Sequence, residues 1–128
     1  MGGLRPVNRG GGLFLHRWRE ADQRTLCRDF ALPPGALDSI EILLASYVAD
    51  SYGGEAFVLF RQAGGLYEVN ASHDSEASLE GQWEPEETLV AALRYRLERG
   101  RLGRAEDDTN LFADELRRLL AGLEQRVH

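Results

Sequence analysis

Ser72-His73-Asp74, followed by Glu76, Glu80 and Glu84, is the stretch of this chain richest in groups that could do chemistry. The first three residues are the types of a hydrolytic triad. A triad needs its members to converge in space from separate segments, and neighbours along a chain do not. No nucleophile-elbow motif accompanies them, so hydrolysis is not expected and no catalytic residue is assigned. The same groups could hold a metal ion. His73, Asp74 and Glu76 are the candidate ligands, a set that suits Mn, Fe or Mg better than structural Zn. Their spacing is not that of an EF-hand loop, which needs a central Gly and regularly placed carboxylates. The plainer alternative for His73 is a loop residue making local hydrogen bonds. Cys27 is the only cysteine, so no intrachain disulfide can form; it reads as a small buried hydrophobe on a helix. The chain has no lysine, which excludes the lysine-containing phosphate loop, and no glycine-rich dinucleotide fingerprint follows a strand. No cofactor is expected.

Charge says more about partners than about reactions. The formal net charge of the 128-residue chain is −6, and every side chain of permanent positive charge is an arginine. Residues 1 to 30 hold six arginines (Arg5, Arg9, Arg17, Arg19, Arg24, Arg28) against three acids. From Asp29 to Leu93 the only basic residue is Arg61, against twelve acids. That middle stretch should repel nucleic acid and could attract a basic surface. The alternative is a solvated acidic face that keeps the protein in solution. Nucleic acid is therefore not expected as the partner, although the N-terminal arginines could contact phosphates. No apolar run reaches the ~18 residues that span a bilayer. The N-terminus also lacks a signal peptide's apolar stretch. A cytoplasmic protein without a membrane partner is expected.

These residues must be positioned by elements readable from local pattern. Residues 1 to 12 are rich in glycine and read as a flexible arm; residues 13 to 128 read as a single α+β domain. Leu13-Phe14-Leu15-His16 is too short to assign. Trp18, Ala21, Leu26 and Phe30 form an imperfect helical stripe, which predicts a helix over 18–30, ending before Pro33-Pro34. The run 40–47 reads as a strand in which Ile40, Ile42 and Leu44 share one face, ending at Tyr47; Asp38 or Ser39 capping a helix is the other reading. Ala56-Phe57-Val58-Leu59-Phe60 and Leu66-Tyr67-Glu68-Val69-Asn70 flank Gly64-Gly65 and predict a hairpin. Residues 71–84 read as a polar loop, with Trp83 stapled onto the next helix near Leu89. Glu84-Pro85-Glu86-Glu87 opens a helix over 85–99, with acids at its positive end and arginines at its negative end. A last helix over 111–125 is capped by Asn110, with Asp114 and Arg118 paired four residues apart. The expectation is a three-stranded antiparallel β-meander flanked by about three helices.

Residues 40 to 99 also carry a resemblance. Ile42-Leu43-Leu44-Ala45-Ser46-Tyr47, Gly54-Glu55-Ala56-Phe57-Val58-Leu59-Phe60, Tyr67-Glu68-Val69-Asn70-Ala71-Ser72-His73 and Gln82-Trp83-Glu84-Pro85-Glu86-Glu87-Thr88 resemble a family of small uncharacterised proteins found largely in phages and prophages. The resemblance supports the strand at 40–47. In that family the histidine is typically followed by Cys-x-Cys; here those positions hold Asp74 and Glu76, so any thiol chemistry is gone. The resemblance implies a phage-related setting and no activity. Together with the charge it leads to a non-catalytic acidic binding protein, of which an anti-CRISPR-like or anti-restriction inhibitor is one concrete form. The partner would be a host protein with a basic surface. The expected partner-binding residues are Glu68, Asp74, Glu76, Glu80, Trp83, Glu84, Glu86 and Glu87. A metal-binding protein built on His73 and a self-associating structural or assembly protein are the alternatives.

Overall fold

The computed structural model describes residues 12–50, 52–74, 78–105 and 109–126. The α+β class holds, but among the described residues the sheet has five strands, in the order β1-β2-β3-β4-β5. The strands are β1 (Leu13–His16), β2 (Glu41–Asp50), β3 (Gly53–Gln62), β4 (Gly65–Asp74) and β5 (Glu86–Thr88). The helices are α1 (Gln23–Asp29), α2 (Val90–Glu98) and α3 (Ala113–Arg126). The contacts divide into two compact units, residues 1–87 and 88–128. Residues 1–11 of the expected arm lie outside the described residues.

The central meander is the one expected. β2 pairs antiparallel with β3, and β3 with β4. The β3–β4 connection is a two-residue turn, Ala63-Gly64, with φ of 51° and 83°. Positive φ at both positions is what a turn matching the strands' twist requires, and glycine supplies it without steric cost. Ala56, Val58 and Phe60 face one side of the sheet and Phe57 and Leu59 the other, and all five are buried. The first side packs on α1 and its flanks, in a cluster that includes Trp18, Leu26, Phe30, Leu37, Ala45, Val58, Phe60 and Val69.

Four regions differ from expectation. β1, too short to be assigned from its sequence, pairs in parallel with β2, Leu13 opposite Leu44 and His16 opposite Tyr47. The helix expected over 18–30 begins only at Gln23. Asp22 is its N-cap, its carboxylate accepting from the Thr25 amide at 3.1 Å, while Arg17–Glu20 turn and Trp18 is buried in the core. The helix expected over 85–99 is shorter, because Glu86–Thr88 form an edge strand beside β4. Backbone hydrogen bonds to an existing sheet override the helix-favouring charges there. β4 also runs on through Asp74, so the expected loop starts later.

A bulge in β2 corrects the face assignment. The register slips between Ile42 and Leu44. The extra residue breaks the alternation, so Ile42, paired with Phe60, lies on the side of Ala45 and Tyr47, while Leu44 lies on the opposite side. In the second unit α2 and α3 pack together, and Arg94 donates to Glu124 at 2.7 Å. Leu93, Leu97, Leu116, Leu120 and Leu123 are buried there. Asn110 caps α3, accepting from the Ala113 amide at 2.8 Å. Asp114 pairs with Arg117, three residues on, rather than with Arg118.

Candidate functional site

The sheet register decides what His73 can do. Ala49, Gly54 and His73 lie side by side on β2, β3 and β4. Tyr47, two residues before Ala49, projects from the same face. The Tyr47 hydroxyl and His73 Nε2 meet at 2.6 Å, across the intervening strand. This crossing needs the glycine: a Cβ at Gly54 would stand 2.7 Å from His73 Nε2 and 2.9 Å from a Tyr47 ring carbon. His73 Nδ1 lies 2.6 Å from the Asp74 carbonyl oxygen. A carbonyl only accepts, so Nδ1 carries the proton, and in the neutral ring Nε2 accepts from the Tyr47 hydroxyl.

Both ring nitrogens are thus engaged. A metal ion at His73 would have to displace Tyr47 or turn the ring. Among the described residues no three His, Cys, Asp or Glu side chains come together as ligands. Glu76 lies outside the described residues. Cys27 is buried, as expected of a small hydrophobe.

The Tyr47 ring continues into an aromatic and cationic wall. Trp18 lies 5.3 Å away between ring centroids, and the Arg17 guanidinium sits over the Tyr47 ring at 5.8 Å. Trp18 Nε1 donates to Asp29 at 2.7 Å. Burial raises the Tyr47 hydroxyl above its ordinary pKa; Arg17 opposes this and Asp29 adds to it. Beside this wall a cavity of about 330 Å³ is lined by Arg17, Thr25, Arg28, Asp29, Tyr47, Ser78 and Leu79. The sequence offered no signal for it, since its lining comes from four separate stretches.

The acidic residues separate by exposure. Glu68 is 3% exposed and accepts from the Asn70 side-chain Nδ2 at 2.8 Å, so it is a buried residue and not a contact surface. Trp83 is partly buried. It stacks on Phe60 at 5.6 Å and meets Phe30 edge-on at 5.0 Å. It therefore closes the core of the first unit instead of stapling α2, and Leu89 is 67% exposed. Glu80, Glu84, Glu86, Glu87 and Asp74 are exposed. Among the described residues the first four have no ion-pair partner. Arg61, the one base within the acidic stretch, is bound across the strands by Glu41 at 2.9 Å. Gln82 ties the loop before β5 to β4, accepting from the Ser72 amide at 3.0 Å. The acidic segment is thereby held against the sheet.

Among the described residues no helix is long and apolar enough to cross a membrane. Comparison with protein-family models, curated proteins and solved structures finds no match to this chain.

Proposed function

We propose that this chain is a non-catalytic, acidic protein-binding module whose partner presents a basic surface. The observation that carries this reading is the exposed set Glu80, Glu84, Glu86 and Glu87, without cationic partners among the described residues, on and before a strand at the sheet edge. Carboxylates left uncompensated in this way create a negative field that steers a basic partner and sets its register. An edge strand also offers backbone groups to an added strand. The resemblance of residues 40–99 to phage proteins makes a host nucleic-acid-handling complex the natural target. The concrete form is then an anti-CRISPR-like or anti-restriction inhibitor that occupies a nucleic-acid surface by imitating its charge. Asp74 extends the acidic surface at the end of β4, while Glu68 and Trp83 act inside the fold.

The test is capture from bacterial lysate by the tagged protein, beside a variant carrying Glu80→Gln, Glu84→Gln, Glu86→Gln and Glu87→Gln. The wild type should retain a partner at low salt, release it at high salt, and lose it to added duplex DNA or RNA. The variant should capture little. A partner held equally by both proteins would overturn the charge-mimic reading.

A further inference from the structure

We infer that the cleft between α1 and β2 is a binding site for a small phosphate monoester, a role independent of the acidic surface's protein binding. Its volume, about 330 Å³, lies within the range of small-molecule sites. Its lining is unusual for so acidic a protein. Two guanidinium groups, Arg17 and Arg28, and two hydroxyls, Thr25 and Ser78, border it, with one carboxylate, Asp29. That carboxylate is already satisfied: one oxygen accepts from Trp18 Nε1 at 2.7 Å and the other from Arg28 Nε at 3.3 Å. Arg28 keeps its two terminal nitrogens for a ligand. Arg17 has no carboxylate partner among the described residues and is held only over the Tyr47 ring. Tyr47, which borders the cleft, is anchored by its hydroxyl's hydrogen bond to His73 across Gly54.

Two guanidinium groups with the Ser78 hydroxyl beside them match a phosphate, whose several oxygens accept charge-assisted hydrogen bonds; the Thr25 hydroxyl already donates to Asp22 at 3.3 Å. The ligand's organic part would lie at the edge of the Tyr47 ring, over which the Arg17 guanidinium sits. A phosphorylated sugar and a nucleoside monophosphate share this chemistry, and the experiment separates them.

The experiment is calorimetric titration of the full chain with inorganic phosphate, ribose 5-phosphate, adenosine monophosphate and, as an uncharged control, ribose. At least one phosphorylated probe should bind and ribose should not. The order of the phosphorylated probes identifies which organic part the cleft accepts. Arg17→Gln and Arg28→Gln should each weaken binding by about tenfold, the effect of losing a charge-assisted hydrogen bond. Arg24→Gln, an exposed arginine outside the cleft, should leave it unchanged. Far-UV circular dichroism of each variant verifies that the fold persists. No binding of any phosphorylated probe at millimolar concentration would overturn the proposal, as would an equal loss in Arg24→Gln, which indicates diffuse charge. Glu80 adjoins the cleft, its amide donating to Ser78 Oγ at 3.2 Å, so the quadruple glutamate variant should bind phosphate no more weakly than the wild type; retained phosphate binding with lost protein capture distinguishes this site from the acidic surface.

Discussion

Gly54 shows how one absent side chain can organise a site. The Tyr47–His73 hydrogen bond spans a strand only because nothing projects from the strand between. Gly54→Ala forces a methyl against both rings, and buried overpacking of this kind costs about 1–3 kcal/mol. The expected outcome is a lower urea midpoint with an unchanged slope; an unaltered midpoint would mean the rings yield freely. Tyr47 itself carries a pH dependence. Burial raises its folded-state pKa above the unfolded value of 10.0, with Arg17 opposing and Asp29 reinforcing. Its contribution is therefore complete below pH 10 and declines as pH rises toward and through the folded-state pKa. Tyr47→Phe should remove that alkaline decline while sacrificing the bond to His73 at neutral pH. Stability measured against pH for both proteins checks it: parallel alkaline limbs would contradict the assignment.

At the scale of elements, caps and edges decide the boundaries. α3 begins where Asn110 satisfies the Ala113 amide and also approaches the Asp114 amide at 3.4 Å. Asn110→Ala should cost about 1 kcal/mol, and Asn110→Asp, an equally good cap, should cost little. Denaturant unfolding followed by helical circular dichroism measures both, and equal losses would show that the cap does not matter. This cap was legible because Asn followed by an apolar helical stripe is a local signal. The hairpin of β3 and β4 was legible for the same reason: alternating apolar residues around a glycine turn suffice. β1 and β5 were not. They have four and three residues, too few for a periodicity to register. The acidic start that favours a helix at 84–87 was real, but it competed with pairing beside β4 and lost.

At the scale of the whole molecule, charge is the leading property. With a net charge of −6 and an isoelectric point near 5.1, the protein should be least soluble around that pH, where mutual repulsion vanishes. Turbidity measured from neutral to acidic pH should peak there; a clear solution throughout would show that hydration of the surface, and not net charge, keeps it dispersed. The sequence by itself determined the charge asymmetry, the central meander, the last helix and its cap, because each depends on neighbours a few residues apart. Only the tertiary structure decided the rest. It buried Glu68 and left Glu86 and Glu87 exposed, turned Trp83 into the core, and engaged His73 with Tyr47, 26 residues away. It also gathered Arg17, Arg28, Tyr47 and Ser78 around one cleft. The reason is physical: exposure and side-chain partnership are set by strand register and by the bulge in β2. Those arise when distant segments pair, and no local pattern encodes them.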